Sequence, residues 1–123
     1  MPCHIYLEGE ILHVDFTGVV TEREFAEFIP AMEKLERSRL PVPHRISDLS
    51  KLSHLNIGFP GVFELAERRK ATRFPNAFKS AIVAPQPVHV GLARMFQILN
   101  EHPQITIRIF PDQPAAHAWL ADP

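Results

Sequence analysis

The order of periodicities restricts this chain's fold more than any other feature. Two short strand-like runs come first. From there every segment with a helical apolar stripe is followed by a short apolar run of strand character, giving the order β-β-α-β-α-β-α-β-α. Strands separated by helices of roughly 10–15 residues require parallel pairing through right-handed crossovers. The opening pair is different: His4–Leu7 and Ile11–Phe16 are joined by a turn at Gly9 and read as an antiparallel hairpin. The expected fold is therefore α/β, a mixed sheet of about five strands with four helices and an N-terminal β-hairpin.

Each helix carries its own start or stop. Thr21-Glu22-Arg23-Glu24 is a capping box, in which the Thr21 hydroxyl accepts from the third helical amide while Glu24 reaches back to the Thr21 amide. Phe25, Phe28, Ile29, Met32 and Leu35 then follow at helical spacing. Pro30 lies inside this helix and predicts a kink near Phe25–Phe28. Lys34, Arg37 and Arg39 collect at its end, and Leu40-Pro41-Val42-Pro43 stops it. A second helix is expected over Pro60–Thr72, with Val62, Phe63, Leu65 and Ala66 inward and a solvated basic tail of Arg68, Arg69, Lys70 and Arg73. Lys79–Ala84 reads as a strand, and Val88–Asn100 as a helix burying Val88, Leu92, Met95, Phe96 and Leu99. Ile105–Phe110 reads as a strand, and Asp112 caps a last helix over Pro114–Leu120 that docks through Trp119 and Leu120.

Between the first two helices lies Arg45–Gly61, read as a buried strand (Arg45–Leu49), a polar turn, an irregular loop and the start of a helix. Strand ends of open α/β sheets are where binding sites form. The candidate binding residues are therefore Asp48, Ser50, Asn56, Ile57, Gly58, Phe59 and Phe63. For the apolar part, Ile57-Gly58-Phe59-Pro60-Gly61, two readings stand. It is an adaptable lip over a pocket, or Ile57 and Phe59 plug the core. Phe59, Phe63, Phe74 and Phe78 would then line a cavity or a dimer surface.

Composition excludes several classes. The 123 residues make one domain, with 46% apolar and 22% charged residues and a net charge of −1. Such a balance gives no bulk attraction to nucleic acid or anionic membrane. One cysteine, Cys3, cannot form an internal disulfide. No signal peptide and no run near the ~20 apolar residues of a membrane span is visible, so a cytoplasmic location is expected. The seven histidines show no metal-ligand spacing and are read as solvated or capping. His13 and Asp15 share a strand face and could form a hydrogen-bonded couple, a reading set below the solvated or capping one. Neither metal nor cofactor is expected, and no residue is assigned a catalytic role.

Several stretches, taken in order, carry a family resemblance. They are Val14-Asp15-Phe16-Thr17-Gly18-Val19-Val20-Thr21 leading into a helix, Ser47-Asp48-Leu49-Ser50-Lys51-Leu52, and Ser80-Ala81-Ile82-Val83. The last is Ile107-Arg108-Ile109-Phe110 followed by Ala115-Ala116-His117-Ala118-Trp119-Leu120. Over nearly its whole length the chain resembles the SpoIIAA-like branch of the STAS domains (sulfate transporter and anti-sigma factor antagonist). The resemblance implies a β/α superhelix and a non-enzymatic, regulatory or binding role. It also implies a switch serine in an Asp-Ser-Ser-Gly-like motif at a helix start. Here the matching positions read Asn56-Ile57-Gly58, so that switch does not carry over. Ser50 and Ser53 nearby are read as capping loop backbone.

The expectation is a binding or regulatory domain for a protein partner or small apolar ligand, without nucleic acid or a membrane span. Two alternatives are an enzyme of the tautomerase type, using Pro2 as an N-terminal secondary amine, and a self-associating accessory domain forming a homodimer.

Overall fold

The computed structural model describes residues 3–56 and 58–123, without the side chains of positions 59, 62, 65 and 99. Pro2 and Ile57 thus lie outside the described residues. The elements are β1 (Cys3–Glu8), β2 (Ile11–Thr21), α1 (Glu22–Arg37), β3 (His44–Asn56), α2 (Phe59–Lys70), β4 (Phe78–Val83), α3 (Pro87–Leu99), β5 (Ile105–Phe110) and α4 (Gln113–Ala121). The five strands stand in chain order in one mixed sheet, with β1 antiparallel to β2 and every other pair parallel.

Sequential parallel order with crossovers of one hand places α1, α2 and α3 on the same face. Their core joins Leu12, Val14 and Phe16 of β2 to Phe25, Phe28 and Met32 of α1, Ala66 of α2 and Phe96 of α3. The last helix goes to the other face, where Ala116 and Leu120 pack on Ile46, Ala81 and Val83. The capping box of α1 forms as read: Glu24 N donates to Thr21 Oγ1 at 3.2 Å and Thr21 N donates to Glu24 Oε1 at 3.0 Å. Asp112 caps α4, accepting from Ala115 N at 2.9 Å. Gly9, at φ +63°, makes the hairpin turn.

The main departure from the sequence reading is the length of β2 and β3. Residues 50–56 are strand, not turn and loop, and β2 continues past Phe16 to Thr21. Leu49, Leu52 and Leu55 recur every third residue, a spacing that fits no regular strand, yet all three are buried. The register explains this. Asp15 pairs with Asp48 but Thr17 with Lys51, and Gly18 pairs with Leu52 but Val19 with His54, so β3 carries an extra residue at each shift. Each extra residue of a bulge reverses the side-chain alternation, which returns all three leucines to the core face. Gly18, at φ +66°, sits beside the second shift.

Helix α1 runs as one element through Pro30, whose ring is exposed, and the carbonyl it leaves unpaired belongs to exposed Ala26. Other expectations are corrected. The buried stripe of α3 is His89, Ala93, Phe96 and Asn100, one residue out of phase with the reading, so Val88 is 58% exposed. His13 and His89 are both buried, with His89 Nε2 3.2 Å from the Leu52 carbonyl oxygen. In the basic tail of α2, Arg68, Lys70 and Arg73 are exposed as expected, but Arg69 is buried.

Candidate functional site

Strand alternation separates the side chains of the first three strands. Leu12, Val14 and Phe16 go to the three-helix face. His4 and Tyr6 of β1, His13 and Asp15 of β2, and Ile46 and Asp48 of β3 go to the face shared with α4. That helix covers β3 to β5 and leaves the β1–β2 side open. Here His4 pairs with Asp15 and Asp15 with Asp48, forming one row across three strands. Asp48 is also the partner of Val83, the last residue of β4. The row therefore marks the level where β4 ends and β2 and β3 continue as a ribbon of their own.

A hollow of about 510 Å³ opens at this level, lined by His4, Asp15, Phe16, Thr17, Asp48, Ser50 and Lys51. Its two carboxylates are held differently. Asp48 Oδ1 accepts from Ser50 N and its Oδ2 from Gln113 Nε2, both at 2.8 Å. The first of these bonds satisfies an amide inside the first bulge of β3, and the second ties the bulge to the start of α4. Among the described residues Asp15 takes no such backbone or amide donor; the polar group facing it is the Tyr6 phenol, and the Asp48 carboxylate stands one strand away, at about 4.8 Å spacing. Beside it, Tyr6 stacks on His13 (4.9 Å between centroids, 4° between planes) and on His4 (4.9 Å), and His117 of α4 lies 5.9 Å from His13. Burial and, after it, the charge of Asp15 raise the Tyr6 pKa, with a hydrogen bond between the two side chains among the lesser causes. No hydrogen bond joins His13 to Asp15 among the described residues, and no three His, Cys, Asp or Glu side chains of those residues gather as a metal site.

The structure thus brings Asp48 and Ser50 together and separates them from Asn56, Gly58 and Phe63; Ile57 and the Phe59 side chain lie outside the described residues. Asn56 is the last residue of β3 and pairs with Thr21, six residues past Asp15, which puts it roughly 20 Å farther along the strand. Gly58 is the N-cap of α2 with no side-chain cap bond, and Phe63 is 54% exposed on that helix. Phe74 and Phe78 pack edge to face at 5.1 Å elsewhere, beneath the ends of the helices. Cys3 is half-buried beside α1, and burial pushes its thiol up to about 11, so it stands as an inert thiol. A larger cleft of about 1010 Å³, lined in part by Glu10, Arg39, His44, Asn76 and His117, lies at the opposite strand ends.

A buried polar network escaped the sequence reading. Glu36 Oε2 accepts from Arg45 Nη1 at 2.8 Å, and its two oxygens take Arg69 Nη1 and Nη2 at 3.1 and 3.2 Å. Asn100 Oδ1 accepts from Arg45 Nη2 at 3.0 Å, and all four residues are buried. The Arg45 and Arg69 guanidiniums lie 5.6 and 5.8 Å from the rings of Phe78 and Phe74. The signal was present. Glu36 is four residues after Met32, Arg69 three after Ala66 and Asn100 four after Phe96, so each continues a buried stripe into the last turn of its helix. The cations also complement the negative ends of those helices.

Four parallel strands in chain order, an antiparallel hairpin strand at one edge, three helices on one face and a C-terminal helix on the other make this a SpoIIAA-like fold. The crystal structure of an uncharacterized protein of the DUF3478 family with a SpoIIAA-like fold, from Shewanella loihica PV-4, is similar to 97% of this chain over 92% of its own. The TM-score is 0.62 at 17% identity, a likeness of fold. No family model and no curated protein matches the sequence.

Proposed function

We propose that the chain acts as a single non-catalytic STAS-like binding domain of the cytoplasm. It takes a small ligand rich in hydrogen-bond donors into the hollow between Asp15 and Asp48. The observation that carries this reading is the asymmetry of the two carboxylates. Both oxygens of Asp48 are fixed, by Ser50 and Gln113, while Asp15, at the same level one strand away, faces only the Tyr6 phenol among the described residues and keeps further acceptor capacity for something else. An amine or a hydroxyl group is the chemistry that would complete it. A reaction has less support, since among the described residues no hydrogen bond couples the Ser50 hydroxyl to a base. A serine switch has less support too, because Gly58 opens α2 without a side-chain cap. No helix of the described residues is long and apolar enough to cross a membrane. The polar lining of the hollow favours a polar ligand over an apolar one.

Native mass spectrometry of the purified chain tests the proposal. A bound small mass is expected in the native protein and is expected to disappear in Asp15→Asn. Amide resonances of Thr17 and Ser50 are expected to shift on titration with a panel of small amines and polyols. Retention of the mass in Asp15→Asn would overturn the reading. So would a ligand-free protein whose Thr17 and Ser50 amides ignore the whole panel.

A further inference from the structure

We propose that this chain forms a two-fold dimer in which β1 pairs antiparallel with β1 of a second copy and α1 packs against its α1, making one continuous sheet. The inference is independent of what fills the hollow. Strand β1 is an edge strand whose register with β2 is unbroken from Cys3 to Glu8. It is weakly guarded for an exposed edge: no bulge, proline or lysine falls within it, and its one charged residue, Glu8, stands at its end. Next to it an apolar groove of about 490 Å³ runs between β1 and α1, floored by Cys3, Ile5 and Phe28.

The rim of that groove says what fits it. Its α1 residues include Glu24, Glu27, Ala31 and Lys34, a stripe that is acidic in its first half, small in the middle and basic in its second half. Such a stripe complements itself when two copies run antiparallel about an axis at Ala31. Glu27 then falls within one residue of Lys34 of the second copy, twice. The strand has the same property. With Tyr6 on the axis, Ile5 faces Leu7 and His4 faces Glu8 of the other copy.

The two centres coincide. Glu24 and Cys3 line the same end of the groove, and α1 and β1 run in the same direction because each is antiparallel to β2. Ala31 lies about 10 Å beyond Glu24 along the helix, and Tyr6 about 10 Å beyond Cys3 along the strand. One axis therefore serves both elements. Because α1 packs over both β1 and β2, two copies joined at β1 would hold their α1 axes about 10 Å apart, the spacing of packed helices.

The test is sedimentation velocity of the full chain with three surface variants. The native chain is expected to sediment at twice its 14.0 kDa mass. Lys34→Glu, which sets Glu27 against a second acid, is expected to shift it to monomer, and Glu27→Lys/Lys34→Glu to restore the dimer. Cys3→Ser/Ala31→Cys is expected to cross-link into a covalent dimer under mild oxidation. A native chain that stays monomeric at about 100 µM overturns the proposal and leaves the edge to a strand of another protein. A dimer indifferent to Lys34→Glu, or one that does not cross-link at position 31, overturns it as well.

Discussion

Replacing Glu36 by glutamine removes a charge that two buried guanidiniums share. At an effective dielectric near 20, an ion pair at these separations is worth roughly 5–6 kcal/mol before desolvation. Glu36 makes such a contact with both Arg45 and Arg69. Much of that gain offsets the cost of burying the charges, so the pair adds little over an apolar core, but breaking it leaves two cations facing each other without an anion. The expected loss for Glu36→Gln is therefore roughly 3–5 kcal/mol. The comparison is Glu33→Gln, expected to cost under about 1 kcal/mol, because Glu33 is 3.7 Å from Arg69 and 19% exposed. Urea denaturation at matched m-values reads both. The pH dependence has a definite sign. Burial works to raise the Glu36 pKa, but the guanidiniums of Arg45 and Arg69 outweigh it and hold it below the ordinary carboxylate value. A depressed pKa contributes stability above the unfolded value of about 4.3, and that stability is lost as pH falls through the folded one. The gap between native chain and Glu36→Gln should then be full at pH 7 and close in acid below about pH 4. Arg45, brought down to about 10 chiefly by burial, stays charged throughout that range. A gap under about 1 kcal/mol at pH 7, or one that does not change between pH 7 and 3, would refute the idea that this carboxylate neutralises the cluster.

Two further substitutions probe the local devices that set up the fold. Thr21→Ala removes the hydroxyl that caps α1 and is expected to cost about 1 kcal/mol in the same denaturation assay; a neutral result would mean that Glu24 alone secures the helix start. Gly18→Ala should cost about 1–2 kcal/mol, because an added Cβ meets nothing within 4 Å and only the positive φ opposes it. A stabilising alanine there would contradict the bulged register of β2 and β3.

What the sequence disclosed about this protein follows from what kind of physics each feature uses. Local rules were legible. The Thr21–Glu24 capping box, the Gly9 turn, the Asp112 cap and the element order each depend on a few neighbouring residues, and together they were enough for a mixed α/β sheet with an N-terminal hairpin, while the SpoIIAA-like topology came from the family resemblance. Pairing between strands was not legible. Leu49, Leu52 and Leu55 look aperiodic until β2 supplies a register with two extra residues, so a thirteen-residue strand resembled a turn and loop. Asp48 was chosen because it seemed to close a strand, and its actual setting is the inside of a bulge that its own side chain satisfies. The polar network shows the same limit from the other side. Glu36, Arg69 and Asn100 stand at core positions of three different helices, and each alone reads as a helix end meeting solvent. The three helix ends and Arg45 explain one another only once the crossovers bring them to one place. A charged residue that continues a buried stripe should therefore be paired first with its counterparts on neighbouring elements, and assigned to solvent only when none exists.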